Sequence, residues 1–390
     1  MSAIYAVLPS LVMFTAHATT LVLLLLLTYQ LAANLRFLRW VRQEAENRPQ
    51  PQPRVSVLVP ARNEATTITP CILALLKQEY PDVEVIVLDD ASTDDTSAQL
   101  DALLATHAHL RVIHAQETPP PGWNGKSYAC HRLAQEATGE WLLFTDADTQ
   151  HTPQSIALGM AQALTLQTDL VCAFPRQQTD TWSERIMVSF IVDFLPLIGL
   201  NFQAILSGKG AHSAGNGQYL LTHAATYQQA GGHAAIYAET LDDFALAKHY
   251  RQNGFKIALI DGKDLLSCRM YDNAHAVWEG FSRSMMHGLD NSSITRHTWS
   301  WALLFAWCYG CLFVNPFTFV LLGGLPWLAL IEIVWLGLLR AIANWHLRRS
   351  PLEVLTTPLA AWGVMALGLT TLFRRWQGQK VNWKGRYYMG

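Results

Sequence analysis

An apolar stretch over residues 8–31, with no charged side chain before Arg36, constrains this chain more than any other feature. It exceeds the roughly 20 residues that a helix needs to cross a bilayer. A cleaved signal peptide is the competing explanation. It is disfavoured because a positive leading segment is absent and the apolar run is too long. Arg36, Arg39, Arg42 and Arg54 come directly after it, and an excess of basic residues beside a span predicts that the chain beyond it is cytoplasmic. Residues 1–35 are therefore expected to be a membrane anchor and residues 36–54 a basic juxtamembrane linker.

Composition agrees with a surface partly in lipid: 51% of residues are hydrophobic and 15% charged, against about 25% charged in ordinary soluble domains. With 28 Lys plus Arg against 30 Asp plus Glu, there is no basic excess to suit nucleic acid. Cys308 and Cys311 form a CxxC inside an apolar stretch without a second pair, which suits buried free thiols better than a metal or redox site.

Membrane-like sequence returns over residues 300–373, giving two to three expected helices. Residues 301–322 form the first apolar segment, broken by Gly323, Gly324 and Pro326, and residues 327–343 and 354–373 form the others. Arg340, Arg348 and Arg349 lie at the end of the second. Arg374, Arg375, Lys380, Lys384 and Arg386 come after the third, in a basic tail over residues 374–390. Both groups cannot be cytoplasmic if all three segments span. Pro316 and Pro358 are places where one could bend into a re-entrant or interfacial path.

Residues 55–285 read differently, as alternating strands and helices. Residues 55–59, 83–88, 110–114 and 141–145 are short runs rich in β-branched, leucine and aromatic residues, separated by helix-length segments. That pattern predicts βαβ units and an α/β fold around a mostly parallel sheet. Polar residues gather just after the strands: Arg62, Asn63 and Glu64 after the first, Asp89 and Asp90 after the second, Asp146 and Asp148 after the fourth. Ligands in open α/β sheets sit at the carboxyl ends of the strands. No Gly-x-Gly-x-x-Gly comes after the first strand and no Walker A motif occurs, so phosphate must be met by something other than a glycine cradle.

Asp146-Ala147-Asp148 can aim two carboxylates at one cation, and hard oxygen donors suit Mg²⁺ or Mn²⁺. A solvated turn is the bland alternative; the strand-end position favours the metal. The segment Asp89-Asp90-Ala91-Ser92-Thr93-Asp94 can cap the next helix, contact a base or ribose, or do both. Asp242 and Asp243 open a helical segment, where the macrodipole alone would favour acids. Lys126 sits after a stiff, proline-rich loop near a helix start and could meet a phosphate. Gly215-Asn216-Gly217-Gln218 offers backbone freedom for close substrate approach. His212 and His233 suit hydrogen bonding or packing better than metal ligation. Residues 182–206 are unusually apolar, fitting either a core helix or an interfacial helix.

Together these motifs resemble family 2 glycosyltransferases of the GT-A fold, over about residues 55–283. The resemblance is carried by Pro60-Ala61-Arg62-Asn63-Glu64, Asp89 to Asp94, Gly125-Lys126, Asp146-Ala147-Asp148, Gly215 to Gln218 and Leu241-Asp242-Asp243. It implies a nucleotide-sugar site using Pro60, Arg62, Asn63, Glu64, Asp89, Asp90, Lys126, Asp146 and Gly217. It also implies a metal on Asp148 with Asp146, and Asp243 as general base beside Asp242, with inversion by direct displacement. Within that family the chain is similar to membrane enzymes acting on carotenoids and hopanoid-associated lipids, through Pro121 to Lys126, Gly231-Gly232-His233, Arg269-Met270-Tyr271, Trp278 to Phe281 and Trp383 to Arg386. Trp278 and Arg283 are then expected near the acceptor. The usual Glu-Asp is Asp242-Asp243 here, and the Gln-x-x-Arg-Trp of processive synthases is absent.

The expected activity is transfer of a hexose, glucose from UDP-glucose, to a hydroxyl of a membrane lipid such as a carotenoid. The expected location is the inner or plasma membrane. A polyprenyl-phosphate sugar synthase and a non-catalytic membrane scaffold are the alternatives.

Overall fold

Val55, Val57, Leu58 and Val59 are all fully buried in the first strand, without the in–out alternation of a half-exposed strand. Such runs belong to sheets covered on both faces, and each such side chain contributes about 1.5–3 kcal/mol on burial. The computed structural model of the chain describes residues 2–47, 51–208, 213–290, 306–322, 325–377, 382–383 and 386–387. His212, Gly323, Gly324, Lys380, Lys384 and residues 301–305 lie outside them. The chain divides into two units. One comprises Arg36–Gln178, Asn201–Met270 and Lys380–Gly390, the other Met1–Leu35, Thr179–Leu200 and Tyr271–Gln379.

The first unit holds an eight-stranded sheet. Its strands are β1 (Val55–Ala61), β2 (Val83–Asp89), β3 (Leu110–His114), β4 (Trp141–Phe144), β5 (Thr149–His151), β6 (Leu170–Gln177), β7 (Leu220–His223) and β8 (Ile257–Cys268), in the order β3-β2-β1-β4-β7-β6-β8-β5. β3, β2, β1 and β4 are mutually parallel. β7 runs against β4 and β6, β8 is parallel to β6, and β5 is antiparallel to β8 at the edge. The mostly parallel sheet expected from the strand–helix alternation is therefore present. β5, β6 and β8 are not among the strands read from the sequence; β5, at three residues, is too short to show a period.

The described helices are α1 (Ser2–Asn47), α2 (Ile68–Leu75), α3 (Thr96–Leu104), α4 (Gly125–Glu136), α5 (Ser155–Leu166), α6 (Leu195–Gly199), α7 (Phe202–Ser207), α8 (Ala224–Gln229), α9 (Asp242–Gln252) and α10 (Ala274–Asp290). Beyond them come α11 (Asn315–Leu322), α12 (Pro326–His346) and α13 (Thr357–Trp376). Among the described residues, three helical stretches are long and apolar enough to cross a membrane: Leu11–Glu46, Pro326–His346 and Pro351–Arg374. The described helix at Ala306–Leu321 is shorter. Pro358 sits in the first turn of α13, where proline is tolerated, rather than at a mid-span bend. Pro316 comes just after a π-helical turn, Gly310–Val314, which accommodates the amide that proline lacks.

Residues 182–206 do not form one helix. Glu184–Phe194 is a π-helix continuing into α6, within the helical unit. Met187 and Val188 pack with Val277, Phe281 and Leu367. Phe194 lies under the Arg340 guanidinium, 4.8 Å from ring centroid to Cζ, and Arg340 also donates to the Ser189 carbonyl at 2.8 Å. This segment is thus core to the helical unit, although Trp182 is exposed.

Candidate functional site

The loops after β1 and β2 are stitched to each other by side chains. Asn63 takes a left-handed conformation, φ 52°. Its backbone N–H donates to Ser92 Oγ at 2.9 Å, and its Oδ1 accepts from Thr93 N at 2.8 Å. Glu64 N donates to Thr96 Oγ1 at 2.8 Å. Arg62 reaches the Asp90 carbonyl and lies 3.7 Å from its carboxylate. Asp89 is buried at the end of β2 and accepts from Ser92 N at 3.1 Å, from Ser97 and from His114. Burial alone would raise its pKa, but the bonds from Ser92, Ser97 and His114 hold it below the usual carboxylate value. Pro60 lies in β1 just before this cluster. These residues form one rigid polar rim, with Asp89 kept ionised.

The Asp146-Ala147-Asp148 turn is pinned from behind. Thr149 Oγ1 donates to the Asp146 carbonyl at 2.8 Å, and the Cys71 thiol approaches the same oxygen at 3.8 Å. Thr145 Oγ1 lies 2.9 Å from His151 Nε2, and His151 Nδ1 lies 2.7 Å from Ser155 Oγ. Burial pushes His151 down to about 3, so it is a neutral hydrogen-bonding brace. Asp148 bonds the Cys268 thiol.

Three further elements bring their residues to this turn. Asn124 caps α4, its side chain accepting from Lys126 N at 2.9 Å, which fixes Lys126 in the first turn. Lys126 Nζ lies 2.7 Å from Asp146 Oδ1 and 3.5 Å from Asp242 Oδ2. Burial works against its charge, but Asp146 and Asp242 hold the ammonium well above its usual value. The Asp243 carboxylate accepts from Gly217 N at 2.9 Å through Oδ2 and from Phe244 N at 2.8 Å through Oδ1. Burial, with the Asp242 charge adding, pushes Asp243 up to about 6 against the opposing pull of Lys126 and the two amides. A Cβ on Gly215 would fall 2.2 Å from the Asp243 carbonyl oxygen, so the bare backbone there is what admits α9.

The structure thus gathers Lys126, Asp146, Gly217, Asp242 and Asp243, drawn from four separated stretches of chain. Trp278 and Arg283 lie on α10 in the helical unit; Trp278 packs beside the Met187–Leu367 core. His114, His151 and Cys71 are additions that the sequence does not signal. Each acts by bonding an expected residue or its turn, a relationship with no sequence spacing. His233 is fully buried, with Nδ1 2.8 Å from Tyr227 Oη.

Asp146 and Asp148 offer hard oxygen donors, the set that Mg²⁺ and Mn²⁺ prefer. Gly217 leaves the floor beside them open: a Cβ there would lie 2.9 Å from Lys126 Nζ and 3.7 Å from Asp146 Oδ2. The donor chemistry and the open floor fit a divalent ion.

Residues 56–223 match the glycosyl transferase family 2 model. Among curated relatives, the 4,4'-diaponeurosporenoate glycosyltransferase of Staphylococcus aureus (strain MRSA252) is 25% identical over 237 residues, 60% of this chain. The chain spans 61% of the length of that relative. Among solved structures, the mannosyltransferase PcManGT from Pyrobaculum calidifontis, in complex with GDP-Man and Mn²⁺, aligns over 92% of this chain and 99% of its own. It does so with a TM-score of 0.50 and 18% identity, a likeness of fold. Through residues 56–223, which fall within its sheet unit, the chain is similar to glycosyltransferase family 2.

Proposed function

We propose that the chain transfers a hexose from a nucleotide-diphosphate sugar, UDP-glucose, to a hydroxyl of a membrane lipid such as a carotenoid, with inversion. The observation that carries this reading is the meeting of Lys126, Asp146, Asp242 and Asp243 around Gly217. Arg62, Asn63, Glu64, Asp89 and Asp90 form the rim that takes the nucleoside. Lys126 puts an ammonium where the diphosphate arrives, exchanging its carboxylate partners for phosphate oxygens. Asp148, supported by Asp146, would hold Mg²⁺ or Mn²⁺, which would supply positive charge against a departing diphosphate.

Asp243 is the group that accepts the acceptor's proton. Both its oxygens are held by backbone amides, so its orientation is set before substrate binds. A carboxylate whose pKa is pushed up to about 6 is a stronger base than an ordinary aspartate while still mostly ionised at neutral pH. The carotenoid glycosyltransferase relative favours a lipid acceptor, and the three long apolar helices support association with a membrane. The sheet unit then works on the cytoplasmic side, as the arginines after the first apolar run suggest.

The test incubates purified protein with labelled UDP- and GDP-sugars and a membrane-lipid extract. Transfer to lipid that stops on chelation and in Asp148→Asn supports the proposal; no metal-dependent transfer to any lipid overturns it. Near-complete loss in Asp243→Asn marks a hydroxyl acceptor, whereas a mild effect marks a phosphate acceptor.

A further inference from the structure

One turn beyond Lys126 on α4, a soft-metal donor set is assembled that shares only Asp242 with the site described above. Cys130 lies one turn after Lys126 on α4, His233 in the turn Gly232–Ile236, and Asp242 at the start of α9. One ligand atom from each lies within 4.8 Å of the other two, and all three residues are buried.

The imidazole is oriented as a ligand would be. Its Nδ1 pairs with Tyr227 Oη at 2.8 Å, and the same oxygen accepts the His233 backbone N–H at 3.0 Å. The ring lies 4.8 Å from that of Phe144, centroid to centroid. Nε2 makes no hydrogen bond among the described residues, although the side chain is fully buried. Nε2 is free to take a metal when Nδ1 carries the proton and donates it to Tyr227 Oη, the kind of bond that orients metal-binding imidazoles.

We propose that Cys130, His233 and Asp242 form a binding site for a thiophilic divalent cation such as Zn²⁺, whose occupancy inhibits the enzyme. One thiolate, one neutral imidazole and one carboxylate are zinc donors, in contrast to the all-oxygen pair Asp146 and Asp148. Binding exchanges the Cys130 thiol proton for the cation, the proton leaving to solvent. The ion draws Asp242 away from Lys126, its partner at 3.5 Å, and adds positive charge beside that ammonium. Only the inhibition rests on the transferase reading; the site itself does not.

The probe is Cd²⁺ added to the full-length protein in detergent with Mg²⁺ in excess to fill the carboxylate site. A cadmium–thiolate absorption band is expected, lost in Cys130→Ser, weakened in His233→Gln and kept in Cys172→Ser. No band, or a band that survives Cys130→Ser, overturns the site. X-ray absorption of the zinc-loaded wild type needs no variant: a sulfur at about 2.3 Å supports it and an all-oxygen or nitrogen shell overturns it. In the transferase assay, Cys130→Ser should raise the Zn²⁺ concentration for half-inhibition by about 10–100-fold. Unchanged inhibition with the band lost would sink the inhibitory role alone.

Discussion

Lys126 Nζ lies 2.7 Å from Asp146 Oδ1, so the cation expected to meet phosphate is already held against the turn proposed to take the metal. The ammonium is buried and its charge is maintained by Asp146 and Asp242. Charge of this kind, fixed before substrate arrives, stabilises developing negative charge without reorganisation. Lys126→Met should lower kcat/KM by about 10²–10³-fold, read by steady-state transfer. An effect below tenfold would remove Lys126 from the diphosphate site.

Asp243 gives the pH dependence. Its carboxyl is pushed up to about 6, chiefly by burial, and a base works only when ionised. Transfer should therefore fall as pH drops through about 6, and the limb should vanish from the residual activity of Asp243→Asn. The stability sign is opposite. Because the folded value exceeds the ordinary 3.8, the favourable contribution is present below about pH 4 and lost as pH rises through about 6. Asp243→Asn should therefore melt higher than wild type at pH 7–8 and no higher at pH 4, as followed by thermal unfolding.

Two glycines in one motif should differ in kind. A Cβ at Gly215 meets backbone, 2.2 Å from the Asp243 carbonyl oxygen, whereas at Gly217 the nearest atom is the flexible tip of Lys126. Gly215→Ala should cost about 1–3 kcal/mol of stability by forcing α9 aside. Gly217→Ala should fold normally yet bind donor sugar weakly. Melting temperatures and KM for the nucleotide sugar separate the two.

In the helical unit, Arg349 joins Asp193 at 2.7 Å, Glu353 at 2.7 Å and Thr179 at 2.8 Å. Its side chain is 5% exposed. In sequence this arginine looks like a solvated flanking charge, but in the fold it neutralises a buried pair of acids. Arg349→Ala should cost about 3–5 kcal/mol because both acids lose their partner. The readout is thermal unfolding in detergent, and a loss under 1 kcal/mol would refute the network.

Local pattern alone determined much of this protein. The apolar runs specify the long helices, because length and hydropathy are local properties. The buried β-branched runs specify the parallel strands, and Asp89, Asp90, Asp146 and Asp148 were legible because a strand's end is visible in its own sequence. Tertiary structure alone decided which distant residues meet. Lys126 reaches Asp242 only because α4 and α9 both pack against the Gly232–Ile236 turn, and Cys130 lies beside His233 for the same reason. Likewise residues 182–206 read as one apolar helix, core or interfacial, yet the π-winding of Glu184–Phe194 and its contact with Arg340 appear only in the fold. Contacts of that kind depend on how elements close on one another, and no spacing in the chain records them.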